Sequence, residues 1–197
     1  LDAPVAKTPM VLFVGRMVPE KGILEFSQAL SDVLEEHPAW TAVIVGARQF
    51  EVSKPGSYEN RVAQALAPLG PRASMTGFMP LEKVRGLQQE AAVIACPSIW
   101  DEPLGKTALE AIAAGSALLT TRRGGIPEVA EGRAHIVDDP SPETFAEALR
   151  KLVGDDEYRT GLQQAAWNDF PFTAKGMADI ADSARCAAIK RERNAGK

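Results

Sequence analysis

Short apolar runs alternate with segments of helical periodicity along most of this chain. Continuous apolar runs of this length are typical of strands that are buried on both faces, as in parallel sheets. Helices between such strands cover both faces, and right-handed crossovers wind the sheet in two directions. The sequence therefore predicts an α/β protein with a doubly wound parallel sheet of about six strands, at 10–14, 40–45, 73–76, 91–95, 117–119 and 134–137.

The segments between these runs carry apolar residues at three- and four-residue spacing, which is typical of amphipathic helices. Ser141 followed by Pro142 fits the N-cap and first position of a helix, and Gly115 fits the left-handed residue after one. Gly124, Gly125 and Pro127 indicate one further short helix. We expect longer helices at 23–34, 58–69, 81–89, 106–114, 142–153, 156–168 and 173–190.

Every loop that follows one of the first five predicted strands contains glycine. In doubly wound sheets, ligands bind beyond the carboxyl ends of the strands, near the point where the strand order reverses. The loops should therefore line a single edge of the sheet, which is where we expect a site, with glycines at Gly15, Gly46, Gly77, Gly105 and Gly124.

Composition limits the classes of function that need to be considered. The 197 residues have a net charge of −4, which gives no general case for nucleic-acid binding. Cys96 and Cys186 are far apart and belong to no metal-spaced group, so we expect a reducing, intracellular compartment. The sequence has no apolar run of about 18 residues that could span a membrane.

The stretch 96–120 carries most of the information about function. Glu102 and Pro103 precede a predicted helix that begins near Lys106. The first N–H groups of a helix have no intrahelical partners, and the helix dipole places partial positive charge there. An anion such as a diphosphate could therefore approach the N–H groups of Leu104, Gly105 and Lys106.

Two carboxylates frame this helix entry, Glu102 before it and Glu110 within it. Carboxylates cannot be phosphate ligands, but they accept hydrogen bonds from hydroxyl groups, so the ligand should contain both phosphates and sugars. The alternative is structural. In that interpretation Asp101 and Glu102 cap the helix, and Glu110 pairs with Lys106 on a solvated face.

Two cations follow the first strand in the pattern G-R-x4-K-G. Arg16 offers a planar fork of donors and Lys21 a compact charge, and both suit a diphosphate at the ligand edge of the sheet. Considered without the 96–120 stretch, they could equally be two surface cations in a loop.

The pattern E-P-x-G-x4-E-A-x-A-x-G, from Glu102 to Gly115, closely resembles the E-x7-E signature of retaining glycosyltransferases with the GT-B fold. The best match is the large GT4-type family (glycosyl transferases group 1), in which Phe is commoner at the place of Leu104. The resemblance covers about residues 10–155. It implies a Rossmann-like domain, the C-terminal half of a GT-B fold.

The resemblance also implies roles for individual residues. Arg16 and Lys21, next to Gly15, contact the donor diphosphate, and Glu110 binds the ribose hydroxyls of the nucleotide. Glu102 lies near the hydroxyls of the donor sugar and, with Arg16 and Lys21, is assigned to catalysis. Two loops supply backbone contacts: Leu104, Gly105 and Lys106 to phosphates and sugar, and Gly77, Phe78 and Met79 to the base.

What the resemblance implies for the whole protein is transfer of a sugar from a UDP-, GDP- or ADP-linked donor to a glycan or lipid-linked acceptor, with retention. No cofactor and no metal are expected, because no Asp-x-Asp motif is present. The implied setting is polysaccharide or lipopolysaccharide biosynthesis in the cytoplasm. The full-length protein could also associate peripherally with the inner face of the membrane.

We expect residues 1–9 to form an interdomain linker, 10–172 the donor-binding domain, and 173–197 a helix that crosses back to a missing N-terminal acceptor domain. A fragment of this kind should bind nucleotide weakly and transfer nothing. Two alternatives remain open: a nucleotide-sugar epimerase or other GT-B enzyme such as a phosphorylase, and a non-catalytic α/β binding module.

Overall fold

The computed structural model describes residues 5–48, 56–168 and 170–195. Within these residues the chain forms one six-stranded sheet in which every pair of neighbours is parallel, in the order β3-β2-β1-β4-β5-β6. This confirms the predicted α/β class and the doubly wound parallel sheet. The strands are β1 Thr8–Val14, β2 Thr41–Val45, β3 Ala73–Gly77, β4 Ala91–Cys96, β5 Ala117–Thr121 and β6 Ala134–Val137.

Helices cover both faces of this sheet. The α-helices are α1 Ile23–Glu36, α2 Ser57–Leu66, α3 Leu81–Glu90, α4 Lys106–Ala113, α5 Ile126–Ala130, α6 Pro142–Gly154, α7 Asp156–Asn168 and α8 Ala174–Ala195. Successive side chains of a strand point to opposite faces. In β1, Val11 and Phe13 therefore pack under α1, α2 and α6, whereas Met10 and Leu12 pack under α3, α4 and α5.

The second predicted helix is shorter than its periodicity indicates. It was expected to run to residue 69, but α2 ends at Leu66 and a 3-10 segment, Ala67–Arg72, follows. Pro68 and Pro71 have no N–H to donate to a preceding turn, and Gly70 has a non-helical backbone (φ 55°, ψ −128°). The prediction of an α-helix over residues 67–69 is therefore wrong, because the prolines prevent the helical hydrogen bonds that the apolar spacing alone predicts.

Two residues predicted to mark helix ends, Ser141 and Gly115, are confirmed in those positions. Ser141 is the N-cap of α6, and its hydroxyl accepts a hydrogen bond from the Thr144 N–H. Gly115 has a positive φ of 67°, which a left-handed residue after a helix requires. β1 begins at Thr8, two residues earlier than expected, so the strand includes the end of the segment predicted as a linker.

The order of the strands reverses between β1 and β4. From β1 the chain moves outwards through β2 to β3, and after crossing back it moves outwards through β4 and β5 to β6. A crevice therefore opens between the carboxyl ends of β1 and β4.

The last helix, α8, lies on the surface. Met177, Ile180 and Ile189 are each about half exposed. In the part of the chain that the structure describes, none of the helices has the length and apolar character needed to cross a membrane.

Candidate functional site

A cleft of about 420 Å³ lies at the carboxyl ends of β1 and β2 and faces the first turn of α4, beside the point where the strand order reverses. Four cations line it: Arg16, Lys21, Arg48 and Lys106. Among the described residues, no Asp or Glu belongs to the lining of this cleft. Its remaining wall is mainly apolar, formed by Val14, Val45, Phe78, Met79 and Val84. The cleft thus combines positive charge with a hydrophobic wall, which suits a ligand with an anionic part and a ring.

Backbone hydrogen bonds hold the ends of β1, β2 and β3 together as one wall of the cleft. The Gly15 N–H donates to the Val45 carbonyl (3.0 Å), and the Gly46 N–H donates to the Gly77 carbonyl (2.9 Å). Gly46 has a φ of +133°, and a Cβ there would lie 1.8 Å from the Gly15 carbonyl oxygen. Only glycine permits this close approach of the two strand ends.

The N-terminus of α4 forms the facing side of the cleft. Gly105 is its N-cap, with a φ of +68°, and a Cβ at this position would lie 2.7 Å from Ile126 Cγ1. The first intrahelical bond runs from the Leu109 N–H to the Gly105 carbonyl (3.1 Å), so the N–H groups before Leu109 have no intrahelical acceptor. Lys106 and Thr107 of this first turn line the cleft.

The loop after β1 docks against the loop after β4. The Ile99 N–H donates to the Glu20 carbonyl (3.0 Å). Gly22 has a φ of +63°, and a Cβ there would lie 2.0 Å from the Pro97 carbonyl oxygen. Because this contact is backbone against backbone, it fixes the short 3-10 segment Pro19–Lys21, and with it the position of Lys21.

Lys21 and Glu102 form an ion pair between these two loops, through Nζ and Oε1. The same Oε1 accepts a hydrogen bond from the Ser98 hydroxyl (2.6 Å). Glu102 is 7% exposed and Ser98 is 1% exposed, so the carboxylate is largely removed from water. Burial raises the pKa of Glu102, but the hydrogen bonds from Lys21 and Ser98 outweigh it and hold the pKa below its ordinary value.

The two glycines after β5 support the backbone of Glu102. The Gly125 N–H donates to the Glu102 carbonyl (2.7 Å), and the Gly124 N–H donates to Asp101 Oδ1 (3.1 Å). A Cβ at Gly124 would lie 2.2 Å from the Glu102 carbonyl oxygen. Asp101 therefore fixes the loop against Gly124 and is not the cap of α4, since Gly105 takes that position.

Glu110 lies one turn along α4, outside the lining of the main cleft. Its Oε2 accepts from Gln88 Nε2 (3.1 Å), and its Oε1 lies 3.7 Å from Lys106 Nζ. The carboxylate borders a separate depression of about 180 Å³ beside Arg85. The ion pair with Lys106 matches the structural alternative considered from the sequence, and it leaves Glu110 next to the cation that lines the main cleft.

The residues predicted from the sequence fall into three groups. Six of them line the cleft: Gly15, Arg16, Lys21, Phe78, Met79 and Lys106. Gly77, Glu102 and Gly105 adjoin it through the contacts described above. Leu104, 52% exposed, and Glu110 lie outside its lining.

Three polar residues at the site were not predicted from the sequence. Arg48 lines the cleft, and its backbone N–H donates to Glu59 Oε1 of α2 (3.1 Å). Thr107 donates to the Val14 carbonyl (3.3 Å) and attaches α4 to β1. Ser98 holds Glu102. Their positions in the sequence could have indicated them, because each is a polar residue just beyond a buried strand or at the start of a helix.

A sequence profile described as glycosyl transferases group 1 matches residues 3–169. The chain belongs to this family. Among its relatives is spore coat protein SA of Bacillus subtilis, which is 33% identical over 156 residues, 78% of this chain and 41% of the relative. A D-inositol 3-phosphate glycosyltransferase of Corynebacterium jeikeium is 31% identical over 170 residues, 81% of this chain and 39% of the relative. The chain thus spans about two fifths of the length of these relatives.

Solved structures show the same fold. The C-terminal domain of LpcC, a glycosyl transferase group 1 family protein of Francisella tularensis, matches with a TM-score of 0.69 and 24% identity, over 83% of this chain and 85% of that domain. Anabaena HepE, in complex with UDP and glucose, matches with a TM-score of 0.72 and 21% identity, over 91% of this chain and 48% of HepE.

Within the described ranges, this group 1 glycosyltransferase chain has no group of three or more His, Cys, Asp or Glu side chains placed to hold a metal ion. Positive charge at the cleft comes from side chains and from the helix N-terminus.

Proposed function

We propose that this chain is the donor-binding half of a retaining, GT4-like hexosyltransferase. In this proposal the full-length enzyme transfers a sugar from a nucleoside diphosphate sugar to a glycan or lipid-linked acceptor. The observation that carries the proposal is the cleft beside the strand-order reversal, where Arg16 and Lys21 face the first turn of α4, which includes Lys106. Among the described residues, no carboxylate belongs to its lining.

The diphosphate binds between the cations and the helix N-terminus in this proposal. Arg16 donates its fork of N–H groups, Lys21 contributes a point charge, and the free N–H groups near Gly105 and Lys106 complete the cradle. Cleavage of the bond between sugar and diphosphate builds negative charge on the leaving oxygen. Fixed cations stabilise this charge as it develops, so the mechanism does not require a metal.

The nucleoside packs on the apolar wall that includes Phe78, Met79 and Val84. Glu110 projects from α4 beside Lys106, where a carboxylate could accept hydrogen bonds from the ribose. The complex of HepE with UDP and glucose supports a uridine nucleotide as the first candidate to test. Glu102 contacts the hydroxyls of the donor sugar.

The acceptor half lies outside this chain in our proposal. The relatives are about two and a half times as long as the segment matched here, which leaves room for a second domain. The isolated chain therefore binds donor weakly and transfers nothing, while α8 crosses to the other domain. We further propose that the full-length enzyme is cytoplasmic and peripheral to the inner membrane face where its acceptor is lipid-linked.

Calorimetric titration of this chain with UDP, GDP and ADP tests the proposal. We expect one nucleoside diphosphate to bind best and Arg16→Ala to weaken its binding by about tenfold, because a charge-assisted contact to phosphate is lost. Arg150→Ala is the matched control, since Arg150 pairs with Glu36 on the surface away from the cleft. Equal affinity for all three nucleotides, with no loss in Arg16→Ala, would indicate a non-catalytic module.

A second assay separates transfer from epimerisation. The full-length enzyme should release UDP from its donor only when acceptor is present. Epimerisation or hydrolysis of the donor without any acceptor would replace our proposal with the epimerase alternative.

A further inference from the structure

Ser98 lies in the loop between β4 and Glu102, and both its side chain and its backbone form hydrogen bonds. Its hydroxyl donates to Glu102 Oε1 (2.6 Å), and its carbonyl accepts from the Thr121 hydroxyl (2.6 Å). Ser98 is 1% exposed and Thr121 is fully buried. Thr120, its neighbour on β5, donates to the Cys96 carbonyl (2.9 Å). Two threonines of β5 therefore fix the segment between β4 and Glu102.

Lys21 would have two competing partners once an anion binds in the cleft. It pairs with Glu102, yet it also lines the cleft, whereas Glu102 does not. An anion that enters the cleft will draw the ammonium group towards itself. A buried carboxylate that loses its cation is costly, because its desolvation is no longer compensated. Another donor must then hold Glu102 ionised and in place.

We propose that Ser98 is a positioning residue, which holds Glu102 through Oε1 and leaves Oε2 for a hydroxyl of the donor sugar. This inference rests on the proposed function and adds a residue that does not itself touch the donor. A serine hydroxyl suits the task because it is neutral, so a diphosphate does not compete for it as it does for Lys21.

Few other groups can stabilise or destabilise the Glu102 carboxylate. Lys21 approaches from the loop after β1, and Trp100, in the same loop as Glu102, also acts to lower the pKa of Glu102. Asp101 is exposed and accepts from Gly124. Burial raises the pKa of the Cys96 thiol to about 11, so it stays uncharged over the range in which Glu102 titrates.

The direct test is the titration of the Glu102 carboxyl by carbon-13 NMR, with Glu102→Gln used to assign its signal. Ser98→Ala should raise the titration midpoint by about one pH unit, because a hydrogen bond to the charged form is lost. Ser98→Thr keeps the hydroxyl and should restore the wild-type midpoint. Ser116→Ala is the matched control, since Ser116 is also fully buried but its hydroxyl bonds the Gln88 and Ala91 carbonyls.

A binding experiment tests the functional part. Ser98→Ala should bind UDP as the wild type does, within about twofold, but should bind UDP-glucose about five- to tenfold more weakly, because only the sugar reaches Glu102. Should Ser98→Ala fail to fold, Ser98→Cys gives the same comparison with a weak donor of similar shape.

Failure of the proposed function and failure of the positioning role of Ser98 give different results. A wild-type chain that binds neither UDP nor UDP-glucose would overturn the proposed function. An unchanged Glu102 midpoint in folded Ser98→Ala or Ser98→Cys would overturn the positioning role, whatever the nucleotide affinity. An equal loss of UDP and UDP-glucose binding in these variants would also overturn it, since it would indicate general damage to the cleft.

Discussion

Lys21 Nζ and Glu102 Oε1 form an ion pair that joins the loop after β1 to the loop after β4. Only the lysine lines the cleft, while the carboxylate lies behind it and is almost fully buried. A ligand that binds Lys21 must therefore also change the environment of Glu102. This pair links the two loops on which the proposed donor site depends.

We predict that the ion pair contributes to stability through coupling between its two members. Lys21→Met should lower the free energy of unfolding by about 2 kcal/mol, because the desolvation cost of the buried Glu102 carboxylate is then offset by fewer interactions. Glu102→Gln, added to Lys21→Met, should recover part of that loss, since no charge remains to be compensated. Urea denaturation of the two single variants and the double variant gives the coupling energy. Purely additive effects would contradict the prediction.

The same carboxylate predicts how stability depends on pH. The pKa of Glu102 is lowered in the folded state, so its stabilising contribution is present above the unfolded pKa of about 4.3 and is lost as the pH falls through the folded pKa. The difference in stability between wild type and Glu102→Gln should be constant from about pH 7 to 5 and should shrink below about pH 4. Urea midpoints across this range measure it.

Asp182→Asn is the control for the pH experiment, because it removes a carboxylate that pairs with Arg185 on exposed α8. A difference that stays constant down to pH 3 in Glu102→Gln would show that the folded state does not stabilise the ionised form.

Gly22 should be far less replaceable than Gly132, although both have a positive φ (63° and 75°). A Cβ at Gly22 would lie 2.0 Å from the Pro97 carbonyl, whereas nothing lies within 4 Å of one at Gly132. Gly132→Ala should therefore cost about 1 kcal/mol for the left-handed backbone alone. Gly22→Ala should cost about 2 kcal/mol more, as the two loops are forced apart.

Thermal unfolding of both glycine variants measures this difference. The nucleotide titration should separate them as well, because Gly22 places Lys21 and Gly132 does not. Equal losses of stability would mean that the contact between the loop after β1 and the loop after β4 relaxes freely.

Two buried serines should respond oppositely to substitution. The Ser27 hydroxyl is buried in α1 and has no hydrogen-bond partner within the described residues. Ser116 bonds the Ala91 carbonyl (2.9 Å) and accepts from Lys7 Nζ (3.1 Å). Ser27→Ala should leave stability unchanged or raise it, whereas Ser116→Ala should lower it by about 1–2 kcal/mol. Chemical denaturation of the pair is the measurement, and a larger loss in Ser27→Ala would contradict the prediction.

The fold could be predicted from the sequence because it depends on patterns that are local in the chain. β4 is a continuous apolar run and is buried throughout, and the spacing in α1 places one face on the core. Arg16 and Lys21 could be placed at the ligand edge for the same reason, since the carboxyl ends of parallel strands share one edge.

The interior of the site could not be predicted in this way. The pairing of Lys21 with Glu102 joins residues 81 positions apart and depends on the docking of Gly22 against Pro97. The hydrogen bond from Ser98 needs the loop conformation that Thr121 fixes. Glu110 likewise meets Gln88 of α3, and no sequence spacing reports that contact.

The proposed contact between Glu110 and the ribose of the nucleotide can be tested directly. Its carboxylate accepts from Gln88 and lies near Lys106, so it is held at a fixed place beside the cleft. If it binds the ribose, wild type should prefer UDP to 2′-deoxy-UDP by about tenfold, and Glu110→Ala should abolish the preference by weakening UDP binding alone. Calorimetry with both nucleotides gives the comparison. Glu36→Ala, which removes a carboxylate paired with Arg150 on the surface, should keep the full preference. A preference that survives in Glu110→Ala would assign the ribose contact to another residue and leave Glu110 with its structural bonds to α3 and Lys106.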